Sequence, residues 1–429
     1  MRNESRAINR CPALGSSFIT RLTLRSVALL ALSASTAQAA RAEQVSIGLF
    51  SLFKPQVFEA RIAAGDGAML DTGGLAGNKA IAPGQLIAVR LVGHRLSITV
   101  SDSSGRVRQS LGSTEARIIP AGSTTLELIL PGKMRRVTRG SLSVSAGEGR
   151  LRGALKIILT TDRESAVASV VAAEIGGERA PEAVKTLAVV VRTFMLSHRG
   201  RHRDEGFDFC DTTHCQFYRG ESDLAAEVAS PVVASAVAAT AGEYLSFDRQ
   251  PVQSYFTAAC GGRTLTPKMV WGGASGNGYQ YHSVVCRWCK DSEHANWRRS
   301  AGEALVLDAL SAAAGFRLSH AVEIITETEG PDGFVRSVII KDKGRQTPMS
   351  ADQFRRAIGR KLGWNTVLSP TFTIERRGRA IIFHGKGFGS QVGLCLAGAA
   401  AQAKAGRGYR EILNFYYPQT EIGDRSANE

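Results

Sequence analysis

Within the fourteen residues from His202 to Cys215 the chain gathers two imidazoles, His202 and His214, and two thiols, Cys210 and Cys215. Thiolate sulfur and neutral imidazole nitrogen are the ligands a tetrahedral zinc ion takes, and a closed set of four protein ligands is normally structural. Three of the four fall in the six residues 210–215, so one ion can gather them. The alternative is a Cys210–Cys215 disulfide beside two unrelated surface histidines. Cys286-x-x-Cys289 is a second metal or disulfide element, and Cys260 could pair with either of its cysteines. Four protein ligands leave no open position for water, which argues against a zinc hydrolase.

Glu174 stands in Val170-Val171-Ala172-Ala173-Glu174-Ile175-Gly176-Gly177. A carboxyl among apolar neighbours tends to have a raised pKa, and a protonated carboxylic acid is what cleavage of a glycosidic bond needs. The plainer reading is a Glu at a helix end that interacts with the dipole or caps backbone N–H groups.

These residues need elements to hold them. From 45 to about 159 short apolar alternations such as Leu86-Ile87-Ala88-Val89 and Leu96-Ser97-Ile98-Thr99-Val100, broken by Gly, Asp and Ser, predict a β-rich region of hairpins. At residue 180 the period changes: Val184, Leu187, Ala188, Val191, Phe194 and Met195 fall at helical spacing behind Pro181, with Gly200 beyond the end. A second, Ala-rich helical stretch is expected over 223–239, interrupted by Pro231. A hairpin is expected over 244–257, turning at 248–251. Residues 300–383 read as a helix at 301–314 with strands near 322–325 and 335–340. Residues 409–417 read as a short helix stopped by Pro418.

Composition bounds the class. The 429 residues allow two or three domains, and 44% apolar with 21% charged residues argue against wholesale disorder and against a polytopic membrane protein. Lys plus Arg exceeds Asp plus Glu by 53 to 38, which favours a polyanionic neighbour. Arg2, Arg6, Arg10, Arg21 and Arg25 lead into the apolar run 27–32 and then Ala37-Gln38-Ala39, the order of an export signal cleaved near Ala39. That run is shorter than the roughly 20 residues a spanning helix needs, so no stable membrane span is expected. Export to a periplasm or cell envelope removes the chain from cytosolic nucleic acid, and the arginines are scattered rather than striped, so no nucleic-acid partner is expected. Cys11 leaves with the signal, and the other six cysteines enter a space where disulfides are allowed.

Several of these segments together resemble the family of stage II sporulation protein D (SpoIID) and the amidase enhancer LytB. Ala172-Ala173-Glu174-Ile175 followed by Pro181-Glu182-Ala183-Val184-Lys185-x-x-Ala188-Val189-x-x-Arg192-Thr193-Phe194 is similar to the segment that carries the family's catalytic Glu. Further resemblances follow in the same order along about residues 140–420. They are Phe207 to Gly220, Tyr255-Phe256 with Cys260-Gly261-Gly262-Arg263-Thr264, Val270-Trp271-Gly272-Gly273, and Gly408-Tyr409-Arg410-Glu411 with Tyr416-Tyr417-Pro418. Thr138-Arg139-Gly140-Ser141-Leu142 echoes the family's N-terminal Tyr-Arg-Gly-x-Leu.

The resemblance implies an α+β protein in which a β-rich N-terminal region precedes a mixed α/β SpoIID-like catalytic core with a glycan-binding groove. Its expected divisions are a signal peptide at 1–39, a β-rich region at 40–150, a core at 151–420 and a C-terminal tail at 421–429. It also implies an exported lytic transglycosylase that cuts peptidoglycan glycan strands between N-acetylmuramic acid and N-acetylglucosamine and leaves a 1,6-anhydro end, with Glu174 as general acid. One acid is enough, because the sugar's own C6 hydroxyl replaces water as nucleophile. The implied zinc ligands are His202, Cys210, His214 and Cys215, with a longer gap than usual between the first two. The implied substrate contacts are Arg192, Tyr255, Gly261, Gly262, Gly387, Gly389, Ser390 and Gly393.

This chain departs from the pattern at several positions. The family's Gly-x-Gly-x-Gly-His-Gly-Val-Gly-Leu-Cys-Gln here reads Gly385-Lys386-Gly387-Phe388-Gly389-Ser390-Gln391-Val392-Gly393-Leu394-Cys395-Leu396, with Ser390 at the His and Leu396 at the Gln. Ala259 and Ala172 replace a usual Ser and Pro. The competing expectation is therefore a non-catalytic glycan-binding protein that recruits or enhances a cell-wall amidase.

Overall fold

In strands Leu86–Val92 and Arg95–Ser101, side chains two apart share a face. Ile87 faces Val100 and Val89 faces Ile98, and all four are buried. The same alternation builds two antiparallel sheets. One runs in the order Met134–Thr138, Thr125–Leu130, Val57–Ala64, Leu86–Val92, Arg95–Ser101, Val107–Ser113. The other runs Phe209–Cys210, Gln44–Leu49, Leu155–Asp162, Ser141–Ala146, Glu115–Pro120, Ala68–Asp71, Lys79–Ile81, with a single parallel pairing between its first two members. The computed structural model describes residues 43–424 apart from 74–76, 221–230, 273–277, 321 and 331. The expected export signal, the first part of the expected Ala-rich helix and the last residues of the expected tail lie outside the described residues.

Strand Leu155–Asp162 runs directly into helix Arg163–Glu174, because Asp162 takes the N-cap and accepts the Ser165 N–H at 2.8 Å. Helix Pro181–Ser197 follows, with Pro at its first position. Its Val184, Leu187, Val190 and Val191 are fully buried, and it packs against the preceding helix and against Pro231–Ala239, Leu396–Lys404 and Tyr409–Tyr416. One continuous core unites both sheets with these helices. The division expected at residue 150 runs through that core, since Gln44–Leu49 pairs with Leu155–Asp162. The result is an α+β protein whose β-rich N-terminal half shares its interior with the helical part.

A second core belongs to an insertion. Strand Trp297–Gly302 pairs with Ala380–Gly385, which also pairs with Phe372–Arg377, while Glu323–Glu329, Phe334–Asp342 and Arg345–Ser350 form a separate sheet. Helices Glu303–Ala314 and Ala351–Leu362 bury Val306, Leu310, Phe354 and Ile358 against these strands. A smaller cluster of Leu265, Val270, Phe334 and Val392 joins the insertion to the rest.

Three expectations change. The hairpin is tighter than 244–257: Glu243–Phe247 turns back at once onto Gln250–Pro251, with Asp248 and Arg249 at positive φ. Phe256–Thr257 instead pairs in parallel with Leu394–Cys395. Residues Glu421–Asp424, expected in a tail, form a strand against Glu243–Phe247. Among the described residues no helix is long and apolar enough to cross a membrane.

Candidate functional site

Glu174 is the last residue of its helix, and the Ile175 N–H closes that helix onto the Val171 carbonyl at 3.0 Å. Gly176 follows at φ +56°, a left-handed position with open space around it that reverses the chain. The Glu178 carboxylate then accepts the Arg179 and Ala180 N–H groups at 2.8 Å each and pairs with Lys404 at 3.2 Å, so it orders the entry to the next helix. Desolvation by surrounding protein alone pushes the Glu174 carboxyl up to about 7. Its place at the negative end of a helix acts in the same direction.

His202, Cys210, His214 and Cys215 converge, with their ligand atoms all within 4.8 Å of one another. The His214 Nδ1 lies 3.7 Å from Cys210 Sγ and 3.8 Å from Cys215 Sγ, and neither cysteine is in a disulfide. The Cys210 main chain is a sheet member, with Gly48 opposite it. The Asp211 carboxylate is buried against Arg136 at 2.7 Å and accepts the Phe50 N–H at 3.0 Å. The donor set itself tests the fit to a metal: His202 Nδ1 bonds the Glu205 carboxylate at 2.7 Å, while its buried Nε2 has no hydrogen-bond partner. A carboxylate that orients an imidazole whose other nitrogen is free is the usual environment of a ligating histidine. The four residues fit a closed tetrahedral ion. Glu205 was not found from sequence, although its i,i+3 spacing from His202 was the available signal. Beyond the loop, Ser169 Oγ and the Gly220 backbone exchange hydrogen bonds at 3.0 and 3.1 Å, which ties the metal-loop segment to the helix that ends at Glu174.

The expected substrate contacts do not form one group. Arg192 is fully buried, forked onto Glu164 at 2.8 and 2.6 Å and donating to the Glu243 carbonyl at 2.9 Å, so it holds two helices and a strand together and does not reach a ligand. Three glycines are closed by the chain's own atoms: a Cβ at Gly387 would lie 2.7 Å from the Ala259 carbonyl, one at Gly389 2.5 Å from Thr257 Oγ1, and one at Gly261 2.7 Å from the Gly387 nitrogen. Gly393 is closed in the same way by Tyr255 and Tyr417. The close approach these glycines permit is to the 255–261 segment and its neighbours. Gly262 faces open space, and Ser390 is partly exposed with its Oγ accepting the Val392 N–H at 3.3 Å. Gln391 takes a left-handed φ of +63°, and its buried amide bonds Thr371 and the Cys260 carbonyl.

The Tyr255 ring stands near those of His198, Trp271 and Tyr281, at centroid distances of 5.7, 5.1 and 6.3 Å. Trp271 is 44% exposed. His198 stacks on Phe194 at 4.1 Å, and burial, reinforced by the charge of Arg201, holds its imidazole down to about 4 and therefore neutral. The Arg192–Glu164 pair sets the later half of helix Pro181–Ser197 against the start of helix Arg163–Glu174. Ten residues at 1.5 Å each put Glu174 about 15 Å along the helix from that pair, whereas the Tyr255 hydroxyl, 3.5 Å from His198 Nε2, lies toward the other end. Glu174 borders neither the cleft along 129–135 nor the one between 260–269 and 329–334.

A protein of sheets and helices with a desolvated carboxylic acid at a helix end and a loop of two histidines and two cysteines defines a class, and known proteins resemble it. Residues 152–247 match the family described as SpoIID, Stage II sporulation protein. The chain is 29% identical over 276 residues to Stage II sporulation protein D of Bacillus subtilis (strain 168), covering 62% of this chain and 75% of that protein. Its counterpart in Bacillus amyloliquefaciens is 27% identical over 278 residues, with the same coverage. An uncharacterized protein of Brachyspira hyodysenteriae is 29% identical over 247 residues, covering 57% of this chain and 61% of that protein. The match over residues 152–247 and the likeness to these relatives support the SpoIID family.

Proposed function

We propose that this protein is an exported lytic transglycosylase acting on peptidoglycan glycan strands, with Glu174 as its general acid. The observation that carries this reading is a carboxyl pushed up to about 7 by desolvation, on the helix end where the family resemblance puts the catalytic residue. Near neutral pH such a group is substantially protonated and can deliver its proton to the leaving glycosidic oxygen. The developing oxocarbenium ion is then captured by the sugar's C6 hydroxyl, and that hydroxyl's proton returns to the carboxylate. No second carboxylate at a fixed distance is needed.

Tyr255 and the half-exposed Trp271 would hold sugars remote from the cleaved bond, because they lie toward the far end of helix Pro181–Ser197 and offer ring faces against which a pyranose packs. His202, Cys210, His214 and Cys215 would hold one structural zinc ion that fixes the loop between the N-terminal sheet and the helix of Glu174. Zinc bound there would supply rigidity and no chemistry.

The test is incubation of wild type and Glu174→Gln with purified glycan strands, followed by mass analysis for anhydro ends. Wild type should produce them, and the variant should bind strands and produce none. Equal cutting by both would remove Glu174 from the mechanism. Equal binding with no cutting by either would favour the amidase-recruiting alternative, which the replacement of the family's His and Gln by Ser390 and Leu396 supports.

A further inference from the structure

Cys260, Cys286, Cys289 and Cys395 come from three separate stretches of chain and meet in the interior, all four buried and none in a disulfide. Their sulfurs all lie within 4.8 Å of one another, and those of Cys260 and Cys289 are 3.5 Å apart. With zinc–sulfur bonds of about 2.3 Å, the edge of a tetrahedron of four sulfurs around zinc is about 3.8 Å, whereas a disulfide brings two sulfurs to about 2.05 Å and leaves the other pair separate. The spacing suits four ligands around one centre.

The surroundings are those of bound thiolates. The Cys260 N–H and the Gly398 N–H each donate to Cys395 Sγ at 3.3 Å, the Gly262 N–H bonds Cys289, and the Tyr416 hydroxyl lies 3.2 Å from Cys286 Sγ. Cys395 is also the N-cap of helix Leu396–Lys404, so its sulfur faces the positive end of that helix. Four thiolates and one divalent cation carry a net charge of −2 in a buried place, and N–H donors of this kind stabilise it. Gly398 is required by the geometry, because a Cβ there would stand 2.9 Å from Cys286 Sγ and 3.4 Å from Cys395 Sγ.

We infer that these four cysteines form a second, tetrathiolate metal site that binds one soft divalent cation of the zinc class, separate from the His202 site. Its position gives it a task. Cys289 precedes the insertion that opens at Trp297, and Cys395 follows the strand that closes it at Gly385, so one ion joins both connections to Cys260 on the main core. The parallel pairing of Thr257 with Cys395 sets two of the ligand-bearing stretches side by side. A closed set of four thiolates has no open coordination position, so the site is structural.

Native mass spectrometry and elemental analysis of the mature chain test this without any enzyme assay. Wild type should carry two zinc ions per chain, and protein denatured without reductant should show six free thiols. His214→Ala should retain one ion, and so should Cys286→Ser. Cobalt substituted into His214→Ala should show the intense thiolate-to-cobalt charge-transfer absorption of a four-sulfur tetrahedral site. A wild type with one ion and a chain mass lowered by bridges among Cys260, Cys286, Cys289 and Cys395 would overturn the proposal in favour of disulfides. Iron in place of zinc would overturn the choice of cation. If Cys286→Ser does not fold, the wild-type metal and thiol counts still decide.

Discussion

Glu174 has a predictable pH signature with two parts. As the proposed general acid it would have to hold its proton, so glycan cleavage should decline as pH rises through about 7, the value to which desolvation lifts it. A rate profile that is flat from pH 5 to 8 would contradict this. Stability follows the same titration. Below about 4.5, its ordinary value, the carboxyl is protonated in both folded and unfolded chains; between 4.5 and about 7 only the folded chain keeps the proton. The stabilisation of the neutral form is thus complete below 4.5 and lost as pH rises through about 7. Glu174→Gln is neutral throughout, so it should match wild type near pH 4.5 and exceed it by about 2 kcal/mol at pH 8, allowing for partial exposure of the group. Denaturant melts of both proteins at the two pH values measure it. Glu174 was legible from sequence because its apolar surroundings are local. Arg192 was not, because its partner Glu164 is twenty-eight residues away and no pattern in the chain announces a buried fork.

Helix Pro181–Ser197 is the element on which the others are assembled, and its extent agrees with the 3.6-residue periodicity seen in the sequence. Leu187 is fully buried at its centre, so Leu187→Ala should cost about 2–5 kcal/mol through lost contacts and an unfilled cavity, read as a lower denaturation midpoint. An unchanged midpoint would contradict the scaffold role. The loop of the proposed zinc site permits a cleaner separation of packing from ligation, because His214 is exposed while Cys210 and Cys215 are buried. His214→Ala removes little packing, yet it should lower the melting temperature and the zinc content by one ion per chain if the ion contributes to folding free energy. A full metal complement with an unchanged melting temperature would show that this loop holds no ion. The set of two histidines and two cysteines could be read from sequence because its members are close along the chain. The Cys260 set could not be assembled, since its members are spread over residues 260–395 and long-range pairings such as that of 256–257 with 394–395 bring its two ends together.

At the scale of the whole molecule the chain has two main interiors, and the second is nested within the first. The sequence shows strands and a helix over 300–383 but does not mark them as an insertion, because the pairing that closes the module, Trp297 with Gly385, spans most of its length. Among the described residues, no buried residue of the main core comes from between these two positions, and the module's own buried core draws on none outside them, although the partly buried Phe388 packs against it. Its ends are register partners in adjacent antiparallel strands, a separation of about 5 Å that a few Gly and Ser residues can bridge. Replacing 298–384 by such a linker should therefore leave a chain that folds cooperatively. The losses include the Phe334 contact with Leu265, Val270 and Val392, the Arg263–Asp332 ion pair, the Gln391–Thr371 hydrogen bond and the bonds from the Lys386 and Gly389 N–H groups to the Thr371 and Leu368 carbonyls, so the melting temperature should fall by several degrees without loss of the transition. Both proposed metal sites lie outside the excised segment, and two ions per chain should remain. Near-UV circular dichroism and metal analysis of the shortened protein test this. A chain without fixed tertiary signal would mean that the main core needs the module to fold, and a folded chain that had lost one ion would mean that the module holds the Cys260 cluster together as well as being held by it.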